Sequence, residues 1–291
     1  MRARPNPLIE AMPTAPLTDA RDCPSPALVE LDADHPGFHD PIYRRRRDAI
    51  AQAALTYCDG DPVPVIDYTA AEQDVWREVW RSLEPLHRKY ACREYVEASV
   101  AIDLSRDQIP QLVDINRRIT PTYGFRMHPV AGLVTAKAFL TQLASGVFLS
   151  TQYMRHHSVP LYTPEPDVVH ELIGHAATFV HPGFAALNRA FGEATLRASD
   201  ETVEKIGRLY WYTLEFGLVM EAGDVKVCGA GLLSSFGELG RFEREEKLLS
   251  WDVERIAGTA YDPTHYQENL FVAPGFSIMV DEVMAWLDAN V

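Results

Sequence analysis

The stretch Thr163-Pro164-Glu165-Pro166-Asp167-Val168-Val169-His170-Glu171-Leu172-Ile173-Gly174-His175 constrains this chain more than any other. Its two prolines fix φ and remove two backbone donors, so the approach is extended and the helix after it starts on a rigid lead-in. Ligands carried there are held still. His170 and His175 stand at i and i+5. On a regular α-helix that spacing turns the side chains about 140° apart. A zinc-peptidase helix reads H-E-x-x-H instead, with both histidines on one face. The two rings can still converge on one ion from the edges of a helix that faces a pocket. A histidine pair on a helix is also an ordinary surface feature, and spacing alone does not separate the two readings.

A third candidate is Glu215, within Trp211-Tyr212-Thr213-Leu214-Glu215-Phe216-Gly217. A carboxylate in an apolar helical stretch needs a partner, because burying it unpaired is expensive. A cation shared with His170 and His175 is one solution. A salt bridge to an arginine or a hydrogen bond to a tyrosine is another. Two histidines and one carboxylate make a facial triad, which leaves adjacent positions open on iron(II) and suits O2 activation. Tetrahedral zinc would leave a single open position.

The rest of the chain must supply a scaffold. Its 291 residues, 47% of them apolar, can bury one large core or two small ones. With 27 basic and 41 acidic residues the net charge is −14, which disfavours nucleic acid and anionic lipid as partners. Arg44 to Arg47 is the one dense basic run, read as the solvated face of a helix. Cys23, Cys58, Cys92 and Cys228 match no metal or disulfide pattern, so reduced thiols in a cytoplasmic protein are expected. The sequence shows neither a signal-peptide pattern nor a run near the ~18 apolar residues a membrane span needs.

Residues 1–34 carry six prolines and read as an extended or disordered arm, with residues 35–291 forming one folded domain. Helical signals dominate that domain. Asp40-Pro41 starts a helix carrying Ile50, Ala53, Ala54 and Tyr57, and Thr69 to Glu72 is a capping box before the stripe Val75, Trp76, Val79, Trp80 and Leu83. Pro110 suits an early helix position before Leu112 and Ile115. Residues 136–145, 168–180, 184–198 and 202–219 also read as helices, the last capped by Asp200. Short runs near 128–135 and 225–229 suggest small ribbons. The expected fold is mainly α with minor β ribbons.

Several long blocks then become recognisable, in order along the chain. They are Gly124-Phe125-Arg126 through Leu133, Thr151-Gln152-Tyr153-Met154-Arg155-His156, Tyr162 through His175, Tyr210 to Leu218, and Gly229 through Glu238. The sequence from about His35 onward resembles the pterin-dependent aromatic amino acid hydroxylases, and within them the phenylalanine 4-hydroxylase catalytic domain. The resemblance implies a monooxygenase using Fe(II), a tetrahydropterin and O2 on a free aromatic amino acid. It implies His170, His175 and Glu215 as iron ligands and catalytic residues. It implies Arg155 as the clamp on the substrate carboxylate, helped by Thr163 and Ser234, with Pro166, Trp211 and Phe216 packing the substrate ring. Gly132, Val134, Phe139, Glu171 and Tyr210 fall on pterin-binding positions, with Phe139 stacking on the pterin and Glu171 accepting a hydrogen bond through water.

The chain departs from the family pattern at Ala136, Leu149 and Cys228, where a serine, a histidine and a tyrosine are common. Phenylalanine is the expected substrate, because the aspartate that tyrosine enzymes carry aligns near Pro263; Asp262 is its neighbour. Tryptophan 5-hydroxylation and phenylalanine 3-hydroxylation are the alternatives within the family. A zinc hydrolase built on His170, Glu171 and His175, and a catalytically silent binding module, are the alternatives outside it. The chain has no stretch matching the family's regulatory domain or its tetramerisation helix, so a monomer is expected.

Overall fold

The structure, a computed structural model, describes residues 31–245, 247–263 and 265–291. Nearly all of the expected arm lies outside the described residues. The first elements follow local chemistry. Helix α1 (Pro41–Thr56) starts where Asp40 accepts from the amides of Ile42 and Tyr43. Helix α2 (Ala70–Tyr90) starts on the Thr69–Glu72 capping box. Its stripe Val75, Trp76, Val79, Trp80 and Leu83 is buried throughout, and each such side chain contributes about 1.5–3 kcal/mol through burial. Helices α3 (Arg93–Ile102) and α4 (Leu112–Tyr123) complete this half. Pro110 stays outside α4, whose cap is Gln111, a correction to its expected place inside the helix.

A small parallel pair follows, β1 (Arg126–Pro129) and β2 (Val147–Ser150), bridged by α5 (Ala136–Leu143). The 128–135 ribbon is thus corrected: it ends at Pro129, and its partner is β2. The π-helical turn His170–His175 and the 3-10 turn Ala176–Val180 come next. Helices α6 (Pro182–Arg197) and α7 (Asp200–Tyr210) pack beside them, and a second π-helical turn spans Trp211–Glu215. Strands β3 (Leu218–Glu221) and β4 (Asp224–Val227) form an antiparallel hairpin. After α8 (Ala230–Ser234), α9 (Phe236–Leu239) and α10 (Phe242–Glu245), β5 (Lys247–Ser250), α11 (Val253–Gly258) and β6 (Asn269–Ala273) follow. The larger sheet runs β4-β3-β6-β5, and α12 (Phe276–Asn290) closes the chain over it. The architecture is mainly helical with minor β structure, as expected.

Three further expectations are corrected. The helix placed over 202–219 ends at Glu215, and Leu218 and Val219 belong to β3. Its cap is Ser199, which accepts from Thr202 N, while Asp200 pairs with Lys137 Nζ at 2.6 Å. The Arg44–Arg47 run is not one solvated face. Arg44 and Arg45 are exposed, but Arg47 is buried against the Tyr153 ring and pairs with Glu165 at 2.9 Å. Among the cysteines, Cys92 and Cys228 are buried free thiols, whereas Cys58 is disulfide-bonded, a departure from four reduced thiols.

Candidate metal centre

Both segments that carry the candidate ligands are π-helical. Ala176 N bonds back to Glu171 O, and Phe216 N bonds to Trp211 O at 2.8 Å, each spanning five residues. A turn closed at i+5 brings residue i+5 close to residue i, much as an α-turn does for i+4. His175 therefore returns to the side of His170, and the 140° separation expected for an α-helix does not arise. Side-chain donors add hydrogen bonds to carbonyls in and beside these turns. Tyr95 Oη donates to Ile173 O at 2.8 Å, Thr178 Oγ1 to His175 O at 2.7 Å, and Thr213 Oγ1 to Leu209 O at 2.6 Å.

His170 Nε2 and His175 Nε2 stand 3.0 Å apart. His175 Nε2 lies 2.9 Å from Glu215 Oε1, and His170 Nε2 lies 3.6 Å from Glu215 Oε2. The tautomer of His170 is fixed from behind. Ser234 Oγ donates its proton to Ala230 O at 2.8 Å, so at 3.0 Å from His170 Nδ1 it accepts. Nδ1 carries the hydrogen, and the Nε2 lone pair points at His175 and Glu215. Two donor atoms each about 2.1 Å from one ion lie about 3.0 Å apart at a right angle and about 3.4 Å apart at the tetrahedral angle. The two short separations match the right angle, and the 3.6 Å between His170 Nε2 and Glu215 Oε2 is wider than either value. Two imidazoles and one carboxylate are a donor set that suits iron(II) with adjacent positions open.

Electrostatics agree with a neutral His170 ring and an ionised Glu215. Burial pushes His170 down to about 4, helped by His175 and opposed by Glu215. Burial pushes Glu215 up, but His175 and then His170 outweigh it and hold the carboxyl below its ordinary value. Glu171 behaves differently: burial raises it to about 7, against the pull of His175 and two bonds from Thr151. Those bonds, from Thr151 N at 3.1 Å and Thr151 Oγ1 at 3.0 Å, occupy the same carboxylate oxygen.

The other candidate residues are distributed as follows. Arg155 is buried, with Nε and Nη2 donating to the two oxygens of buried Asp167, each at 2.8 Å. Two of its five N–H groups are thereby used and the Nη1 side is left for another acceptor. Asp167 also receives His170 N at 3.4 Å, so it joins Arg155 to the metal turn. Thr163 Oγ1 donates to Glu165 O at 2.9 Å, within its own loop. Pro166 O accepts from Tyr153 Oη and from Thr151 Oγ1. Trp211 packs on Phe216 at 4.6 Å and stacks on Tyr261 at 4.2 Å, and its Nε1 donates to Gln267 Oε1 at 2.8 Å. A cleft of about 140 Å³ is lined by Ala136, Phe139, Tyr210, Trp211, Tyr261 and Glu215. Phe139 meets Tyr210 edge-on at 5.4 Å. Gly132 and Val134 lie on the loop before α5 and do not line this cleft.

A family model described as biopterin-dependent aromatic amino acid hydroxylase matches residues 24–289. The chain belongs to this family. The tyrosine 3-monooxygenase of Canis lupus familiaris is 44% identical over 259 residues, covering 87% of this chain and 52% of that protein. The phenylalanine-4-hydroxylase of Rattus norvegicus is 44% identical over 260 residues, covering 88% and 57%. The chain therefore spans about half the length of the curated relatives it matches. A crystal structure of Chromobacterium violaceum phenylalanine hydroxylase, with bound iron(III) and oxidised 7,8-dihydrobiopterin, aligns with a TM-score of 0.71 at 29% identity, over 77% of this chain and 82% of that one. Another structure of the same enzyme with Fe(III) aligns at 0.74 and 28% identity, over 82% and 89%.

Sequence reasoning missed Asp167, Thr151, Tyr261 and Gln267 as neighbours of the candidate site residues. Asp167 carries a local signal, an acid three residues before His170. Tyr261 and Gln267 carry none, since they reach Trp211 from about fifty residues further along the chain.

Proposed function

We propose that this chain is the catalytic unit of a monooxygenase that converts free L-phenylalanine to L-tyrosine, with a tetrahydropterin and O2 as co-substrates. The observation that carries this reading is the convergence of two imidazoles and one carboxylate at the edge of a cleft lined by aromatic rings. When bound, ferrous iron and the reduced pterin supply the O2-activating chemistry. The protein's part is positioning and exclusion of water. His170, His175 and Glu215 would hold the ion, and Ser234 keeps the His170 lone pair aimed at it. Arg155, already oriented by Asp167, offers its remaining N–H groups to the substrate carboxylate. Pro166, Trp211 and Phe216 pack the substrate ring. Phe139 and Tyr210 supply flat apolar surface for the pterin, with Glu171 and the Gly132–Val134 loop beside it.

The choice of phenylalanine is supported by Asp262. Its side chain is 63% exposed and pairs with His265 Nδ1 at 3.3 Å. Tyrosine is the second reading, favoured by the equal identity to tyrosine and phenylalanine enzymes. The same proposal takes residues 35–291 as the catalytic domain and 1–34 as an arm, and the chain as a cytoplasmic monomer without nucleic-acid or membrane partners. No helix among the described residues is long and apolar enough to cross a membrane. Light scattering on the purified chain tests the monomer.

The deciding experiment incubates the iron-loaded chain with reduced tetrahydropterin, O2 and each of phenylalanine, tyrosine and tryptophan, and identifies products by mass and retention. Tyrosine formed from phenylalanine is expected. Faster formation of a dihydroxyphenylalanine from tyrosine would transfer the proposal to the second reading. Meta-hydroxylated phenylalanine or 5-hydroxytryptophan as the main product would also overturn it.

A further inference from the structure

A second group of metal-ligating side chains gathers where α1 begins, sharing no residue with the triad. One carboxylate oxygen of Asp40 and one ring nitrogen each of His156 and His157 lie within 4.8 Å of one another. We propose that Asp40, His156 and His157 form a binding site for a second divalent transition-metal ion of the zinc type.

The ligands are prepared for that role. Asp40 Oδ1 is occupied by the helix cap, accepting from Ile42 N at 2.8 Å and Tyr43 N at 3.0 Å. This orients Oδ2 toward His156 Nε2, 3.3 Å away. That distance is long for a charge-assisted hydrogen bond, which is usually about 2.7–2.9 Å. It matches the separation of about 3.4 Å between two ligands on one tetrahedral ion. His156 is buried, its ring set edge-on against Tyr43 at 4.9 Å. Its other nitrogen, Nδ1, accepts from Ser158 N at 3.3 Å and lies 2.7 Å from Ser158 Oγ. The metal-free ring thus keeps its hydrogen on Nε2, facing Asp40; an ion at Nε2 would move that hydrogen to Nδ1, where Ser158 Oγ stands as the acceptor.

His157 completes the set. It is exposed, its ring lies 4.4 Å from that of His156, and it borders a recess of about 450 Å³. A rotation of this free side chain brings its nitrogen onto the ion, with a position left for water. Two imidazoles and one carboxylate select a borderline-soft ion such as zinc over calcium or magnesium, which prefer all-oxygen sites. The bound ion would clip the start of α1 to the segment directly after Arg155, stiffening the approach to the candidate substrate site.

The test uses the full chain loaded anaerobically with ferrous iron, dialysed against Zn²⁺, with both metals counted per chain. Zinc is expected to bind in addition to iron, with the iron content unchanged. His157→Ala should lose that zinc, with affinity falling about tenfold or more, while keeping its iron. Asp40→Asn should do the same without unfolding α1, because asparagine caps a helix as well as aspartate does. Zinc taken up only in exchange for iron would overturn the proposal. Equal zinc binding by the wild type and both variants would overturn it too.

Discussion

His170 depends on Ser234. The hydroxyl donates to Ala230 O and so can only accept from Nδ1, which leaves the opposite nitrogen unprotonated and aimed at Glu215. Ser234→Ala is expected to weaken ferrous iron binding by about 10–100-fold with little change in secondary structure. Anaerobic iron titration with circular dichroism checks this, and unchanged affinity would remove Ser234 from the support of the site. Glu171 gives a pH prediction. Burial raises it from 4.5 to about 7, so the folded metal-free chain holds a proton there that the unfolded chain has lost. Its stabilising contribution is therefore fully present below pH 4.5 and is lost as pH rises through about 7. Glu171→Gln, which cannot ionise, should lack that part of the pH slope. Urea midpoints of both metal-free proteins across this window would show it as a difference curve that falls and then levels off.

The two π-helical turns are the elements on which the site depends. Each widens the backbone at a candidate ligand, and carbonyls in and beside them accept from Tyr95, Thr178 and Thr213. The turn at His170–His175 also packs closely on α8, and Gly174 makes this possible. A Cβ on Gly174 would lie 2.9 Å from Ala230 O and 3.0 Å from Ala230 Cβ. Gly174→Ala should push turn and helix apart, move Ser234 off His170, and lower stability by about 1–3 kcal/mol. Denaturant unfolding and iron titration on the same variant should show both losses; a loss of stability with iron affinity intact would uncouple the contact from the site. Helix positions and capping were legible because they depend on neighbours in sequence, as at Asp40, Thr69 and the α2 stripe. The π turns were not, since the i+5 spacing was read with the 3.6-residue period of an ordinary helix.

At the scale of the whole molecule, the triad ties the His170–His175 turn to the Trp211–Glu215 turn, which leads into β3 and the larger sheet. An ion bound there links both halves of the fold and stabilises the native state by mass action, by about 2.7 kcal/mol when free iron is a hundredfold above its dissociation constant. Chelation should therefore lower the thermal midpoint by roughly 5–10 °C in the wild type. Glu215→Ala should remain folded, melt near the chelated wild type, and show no response to chelator. A chelator effect of equal size in that variant would place the stabilising ion elsewhere, with Asp40, His156 and His157 as the first candidates. The sequence by itself determined the helical starts at Asp40 and Thr69 and the apolar face of α2, and it singled out two imidazoles and one carboxylate as candidate ligands, because those follow from local propensity, periodicity and donor chemistry. Tertiary structure alone decided that Ser234 backs His170, that Asp167 engages Arg155, that Arg47 turns inward, and that Leu218 joins a sheet. Each of those outcomes is set by burial of polar groups against partners distant in the chain, and a buried donor or acceptor must be satisfied by whatever the fold brings beside it.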